Sequence, residues 1–178
     1  MARNIEIKAR VGDPDATARR AASVAEEGPW TIEQDDTFFG CRDGRLKLRD
    51  FGNGNGELIF YRRADQAGPG QSEYRITPTE DPEGLRAVLT DALGVTGRVC
   101  KQRKLYLAGR TRIHLDHVEG LGDFLELEVV LSDRESSAIG ESEARFLMER
   151  LHIAEADLVE VAYVDLIEES RASSDDPD

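Results

Sequence analysis

Four stretches of this 178-residue chain set charged or polar side chains at every second position, the spacing that gathers them on one face of an extended strand. Asn4, Glu6, Lys8 and Arg10 alternate with Ile5, Ile7, Ala9 and Val11. Arg45, Lys47 and Arg49 flank Leu46 and Leu48. Arg110, Arg112, His114 and Asp116 oppose Ile113, Leu115 and, less cleanly, Thr111, while Glu126 and Glu128 oppose Leu125, Leu127 and Val129. Cationic side chains crowded together repel unless an anion lies between them, and neighbouring carboxylates repel unless a cation does. A polyphosphate carrying a divalent metal supplies both at once.

The elements that would position these faces follow from the same alternation. Strands are expected at about 4–11, 34–40, 45–51, 57–63, 71–77, 96–107, 110–118 and 123–131, separated by Asp43-Gly44, the run 52–56, Ala108-Gly109 and the glycines Gly120 and Gly122. Helical spacing replaces it at 13–27 and 81–94, each opened by Asp followed by Pro, and at 136–151, where Ala144, Leu147, Met148 and Leu151 form one stripe. A shorter helical segment is expected at 155–169. The helices need apolar strand faces to pack on. If those faces point outward, the charged faces point inward, and the fold is α+β: a closed eight-stranded antiparallel barrel with flanking helices and a charged tunnel. The competing reading is a solvated outer face on each strand.

The chain carries 23 Lys+Arg against 36 Asp+Glu, a formal net charge of −13, which argues against long nucleic acid and against a membrane surface as partners. With 39% hydrophobic residues it can fill one core, taken as a single domain over 1–169 followed by an acidic disordered tail over 170–178. No apolar run reaches the ~20 residues of a membrane helix, and the first residues lack a signal-peptide core, so a cytoplasmic protein is expected. Cys41 and Cys100 have no metal-spaced partners and read as buried, reduced thiols. Trp30 reads as a core residue. The run 52–56 lacks the Lys-Ser/Thr of a phosphate loop and reads as a hairpin turn. His114 falls on the tunnel face and His117, three positions on, falls opposite.

In order along the chain, Asn4-Ile5-Glu6-Ile7-Lys8 (NxExK), then Gln34, Asp36 and Phe38, then Lys47 and Arg49, Tyr61 and Arg63, Lys101 and Arg103 all match one pattern. It continues through Asp116, Val118, Gly120, Gly122, Phe124, Glu126 and Glu128 to Tyr163 and Asp165. Over about 3–167 the chain resembles the CYTH superfamily, the triphosphate tunnel metalloenzymes. These include class IV adenylate cyclases, thiamine triphosphatases and inorganic tripolyphosphatases.

The resemblance implies Mg²⁺ or Mn²⁺ held by Glu6, Glu126 and Glu128, with Asp116 as a fourth ligand. It implies phosphate binding by Lys8, Lys47, Arg49, Arg63, Lys101, Arg103 and Arg112. The family's first glutamate is Asn4 here, which removes one negative charge and keeps a carbonyl oxygen. Stretches 6–11 and 58–65 lean towards the class IV cyclase branch, converting ATP to cyclic AMP and pyrophosphate. Hydrolysis of tripolyphosphate or an organic triphosphate such as thiamine triphosphate is the alternative. A binding module that captures a polyphosphate or nucleotide without turnover is the alternative of another class. The expected state is a monomer or a homodimer, since a closed barrel offers no free sheet edge.

Overall fold

The computed structural model describes residues 1–63 and 68–174. Asp65, inside the stretch 58–65, and tail residues 175–178 lie outside the described residues.

In chain order the elements are β1 (Ala2–Arg10), α1 (Pro14–Val24), β2 (Glu27–Phe39), β3 (Arg45–Asp50), β4 (Gly56–Arg63) and β5 (Gly70–Thr79). They continue with α2 (Pro82–Leu93), β6 (Val95–Ala108), β7 (Thr111–Val118), β8 (Gly122–Leu131), α3 (Ser137–Leu151), a single 3₁₀ turn (Glu155–Asp157) and α4 (Tyr163–Ser174). All eight strands pair antiparallel in the order β1-β5-β4-β3-β2-β6-β7-β8, and β8 pairs back onto β1 to close a barrel. Closure gives every strand a neighbour on both sides along part of its length.

The apolar strand faces do look outward to the helices. Ile7, Ile113, Leu125 and Leu127 pack with Tyr106 against Ala21 of α1 and Leu147, Met148 and Leu151 of α3. Ile5, Val129 and Leu131 meet Ala144. α3 lies so close to the sheet that a Cβ on Gly140 would stand 2.7 Å from side-chain carbons of Ile5 and Leu131. Both Asp-Pro starts cap as their chemistry dictates. Asp13 accepts from the Ala16 amide and Asp81 from that of Gly84, each at 2.9 Å.

Several boundaries differ from the expectation. α1 stops at Val24 rather than at 27, because Glu26 and Glu27 would put two acids at the negative end of its dipole. β2 then begins at Glu27, since the long β6 offers it partners from Leu107 onward. Trp30, paired with Leu105 in that extension, is 44% exposed and is not a core residue. Cys41 is exposed and Cys100 half-buried, so neither is the buried thiol expected. The segment expected to be helical at 155–169 splits. Val159 and Val161 are β-branched and favour extended backbone; Leu158 bridges Ala9, and the Val159 amide donates to the Lys8 carbonyl at 2.9 Å. Helix resumes at Tyr163 and runs through 170–174, which were expected to be disordered.

This rerouting closes one end of the barrel. Tyr163 joins Phe38, Val99, Val118 and Phe124 in an apolar cluster that Val159, Val164, Leu166 and Ile167 complete. Gly97 of β6 makes the seat for α4, because a Cβ there would collide with Val164.

Candidate active site

The inward strand faces enclose a cavity of about 340 Å³, within the ~300–1,000 Å³ usual for small-molecule sites. Adjoining strands β1, β8 and β7 contribute Glu6, Lys8, Glu126, Glu128, Arg112 and His114. Across the ring, β3, β2 and β6 contribute Lys47, Arg49, Asp36, Lys101 and Arg103, and β4 adds Arg63. Every expected site residue lines the cavity except Asp116.

Asp116 is 2% exposed and lies behind Arg103. It accepts from Arg103 Nε at 2.7 Å and Nη2 at 2.6 Å, and from the Tyr163 hydroxyl at 3.1 Å. Burial alone would raise the Asp116 pKa, but Arg103 holds it below the ordinary value. The same Arg103 Nη2 donates to Glu126 Oε2 at 2.6 Å, so this guanidinium ties Asp116 to a tunnel carboxylate.

The carboxylates of the first wall are crowded. Glu6 is pushed up to about 7 by burial and by Glu128, with Arg63 opposing. Burial would raise Glu126 and Glu128 as well. Arg103 and Lys8 instead hold Glu126 well below the usual range, while His114 and Arg103 lower Glu128. Lys8 lies 3.6 Å from Glu126 Oε1 and is lowered to about 8 by burial. Among the described residues, Glu126 and Glu128, both half-buried, form with His114 a group whose ligand atoms lie within 4.8 Å of one another, a spacing that fits a divalent cation, and Glu6 is not part of that group.

The opposite wall is cationic and is held together by Asp36, which no functional role was assigned from sequence. Its Oδ2 accepts from Lys47 at 2.8 Å, Arg49 at 2.9 Å and Lys101 at 3.2 Å, and its Oδ1 accepts from Arg49 at 2.8 Å. Burial would raise the Asp36 pKa, yet Arg49, Lys101 and Lys47 hold it well below the carboxylate range. Lys47 is lowered to about 7 by burial and by Arg49, against the pull of Asp36.

At the closed end, tunnel cations meet the chain entering α4. Lys8 donates to the Val161 carbonyl at 2.9 Å and stands 3.9 Å from the centroid of the Tyr163 ring. Arg63 donates to the Glu160 carbonyl at 2.9 Å and lies 3.4 Å from Glu6, and Arg45 reaches Asp165 at 2.8 Å. Arg45 continues the alternation of Lys47 and Arg49, a signal that could have added it to the site.

Among the described residues, the buried side-chain polar atoms without a hydrogen-bond partner are Asn4 Oδ1, Gln34 Oε1, Ser72 Oγ and His114 Nδ1. All four residues line this one cavity. Buried polar atoms are nearly always paired, so their concentration marks a place built for a ligand.

Comparison with known proteins agrees with this geometry. The CYTH domain model matches residues 2–163. Adenylate cyclase CyaB of Aeromonas hydrophila is 32% identical over 93% of this chain and 89% of its own length. Among solved structures, the PH1012 protein of Pyrococcus horikoshii OT3 superposes with a TM-score of 0.82 at 25% identity, covering 92% of this chain and 98% of its own. The Hippeastrum protein HpAC1, named for adenylyl cyclase and described by a dominant triphosphatase activity, has a TM-score of 0.67 at 16% identity, covering 94% and 96%. Among the described residues, no helix is long and apolar enough to cross a membrane.

Proposed function

The chain belongs to the CYTH domain family, and from that premise we propose that its tunnel binds a triphosphate with a divalent cation and acts as a class IV adenylate cyclase-like enzyme. The carrying observation is a single cavity with Glu6, Glu126 and Glu128 on one wall and Lys47, Arg49 and Lys101 on the other.

Transfer reactions at phosphorus ask a protein mainly for positioning and charge stabilisation. Lys47, Arg49 and Lys101 hold phosphate oxygens, replacing part of the charge that Asp36 now supplies. Arg63, Arg112 and Lys8 bind at the flanks of the chain of phosphates. Glu6, Glu126 and Glu128 hold Mg²⁺ or Mn²⁺, which neutralises charge on the phosphates when bound. Arg103 fixes Glu126 in place, and Asp116 orients Arg103, a role that leaves the ligand set to the other acids.

In the cyclase reaction the ribose 3′-hydroxyl gives its proton to water as its oxygen bonds to the α-phosphorus, and the bond from that phosphorus to pyrophosphate breaks, pyrophosphate leaving with the bonding pair. CyaB, named an adenylate cyclase, supports this reading. Hydrolysis, with water attacking the γ-phosphorus, is the second reading, and HpAC1 favours it. Incubation with ATP, thiamine triphosphate or tripolyphosphate, each with Mg²⁺ or Mn²⁺, followed by chromatography of products, separates them. Cyclic AMP with pyrophosphate is expected. Orthophosphate would move the assignment to hydrolysis, and tight binding without products would make the protein a capture module.

A further inference from the structure

We propose that His114 is itself a metal ligand, so that the tunnel site is a mixed nitrogen and oxygen centre that favours Mn²⁺ or Co²⁺ over Mg²⁺. The inference rests on the proposed metal-dependent reading of the tunnel and adds a residue that the carboxylate set does not contain.

Ligand atoms of His114, Glu126 and Glu128 all lie within 4.8 Å of one another. His114 stands opposite Glu126 in the β7–β8 ladder, and its Nδ1 is 3.7 Å from Glu128 Oε1. That separation is too long for a hydrogen bond, but it lies in the range spanned by two ligands of one small cation. His114 is only 4% exposed, lines the cavity, and has no hydrogen-bond partner at Nδ1. An imidazole nitrogen buried beside two carboxylates, with no hydrogen-bond partner, is placed as a metal ligand would be.

The ion preference follows from donor chemistry. Mg²⁺ takes oxygen ligands and keeps much of its water, whereas imidazole binds later divalent ions increasingly well through the first transition row. Asn4 acts in the same direction. Its Oδ1 is buried and unpartnered on the same cavity wall, and it brings no charge where a carboxylate would add to the attraction for a hard cation.

The test uses Mn²⁺ alone as the probe, read by pulsed electron paramagnetic resonance of the full-length protein. Directly bound nitrogen is expected as a strong ¹⁴N coupling that changes to the ¹⁵N pattern when histidine is ¹⁵N-labelled. The chain has three histidines, so a His117→Gln/His152→Gln double variant, which removes only the other two, should keep the coupling. His114→Gln should lose it, with Mn²⁺ affinity falling about tenfold and Mg²⁺ affinity less than about threefold. If His114→Gln does not fold, the labelled double variant still decides the matter. Mn²⁺ binding that Glu126→Gln removes but that shows no directly bound nitrogen would overturn the role of His114 while leaving the carboxylate site standing. Absence of any Glu126-dependent Mn²⁺ binding would overturn both.

Discussion

Glu6 of β1 and Glu128 of β8 stand directly opposite each other in the ladder that closes the barrel. Two half-buried acids therefore share one patch of wall, and desolvation together with the neighbouring Glu128 pushes Glu6 up to about 7, well above an ordinary glutamate. A cation at this wall should expel its proton. Lys47 has the opposite disposition, since burial lowers it to about 7 and a bound triphosphate should return its charge.

Metal and triphosphate should accordingly move protons in opposite directions. Near pH 7, Mn²⁺ should therefore release protons and tripolyphosphate should take them up. Calorimetric titrations in two buffers of different ionisation enthalpy measure both. Glu6→Gln should abolish the release and Lys47→Met the uptake.

The same shifts set a pH dependence of stability in the ligand-free protein. For Glu6 the native state keeps, between about pH 4.5 and 7, a proton that the unfolded chain has given up. Its contribution is therefore present below that window and lost as pH rises through it. For Lys47 the unfolded chain keeps a proton from about pH 7 to 10.5 that the native state has lost, so that contribution grows with pH. Urea unfolding of wild type beside Glu6→Gln and Lys47→Met, compared across pH 4.5 to 10, isolates each group as a difference of opposite slope.

Asp36 is 1% exposed and is the shared counterion of Lys47, Arg49 and Lys101. Asp36→Asn would leave buried cations short of a partner and should destabilise the fold by about 3–5 kcal/mol. Because a triphosphate can replace the missing charge, tripolyphosphate should raise the melting temperature of this variant by more than it raises that of wild type. Equal increments would remove Asp36 from the account of the binding wall.

Tyr163 closes the barrel end through its ring and through the hydrogen bond to Asp116. Tyr163→Phe should cost about 1 kcal/mol, since Asp116 retains Arg103. Tyr163→Ala, which empties the apolar cluster, should cost about 3–5 kcal/mol. Equilibrium unfolding distinguishes the two, and similar values for both would mean that ring packing does not seal the end.

Much of the site was legible because a strand has only two faces. Once Ile5, Ile7, Leu125 and Leu127 claim the helices, Glu6, Lys8, Glu126 and Glu128 have nowhere to go but inward. Period alone carries no depth along the strand, however. Asp116 keeps the register of Arg112 and His114, yet it sits behind Arg103 because it pairs with that residue across β6 and β7. Asp36 was harder to weigh, since its neighbours on that face, Gln34 and Phe38, show no charge pattern. The hydrogen bond of Lys8 to Val161 joins residues 153 positions apart, and only the docking of the segment around 158–161 along β1 brings them together. Trp30 and the start of β2 escaped local reading because pairing with β6, a tertiary effect, decides them.

If the two walls act together on a metal-complexed triphosphate, calorimetric titration with ATP in the presence and absence of Mn²⁺ will report it. With wild-type protein, ATP should bind at least about tenfold more tightly when Mn²⁺ is present. Glu126→Gln should remove that enhancement, and Lys47→Ala should weaken ATP binding about tenfold with Mn²⁺ binding retained. ATP binding that is indifferent to Mn²⁺ and to both substitutions would mean that the two walls do not share a metal-complexed triphosphate.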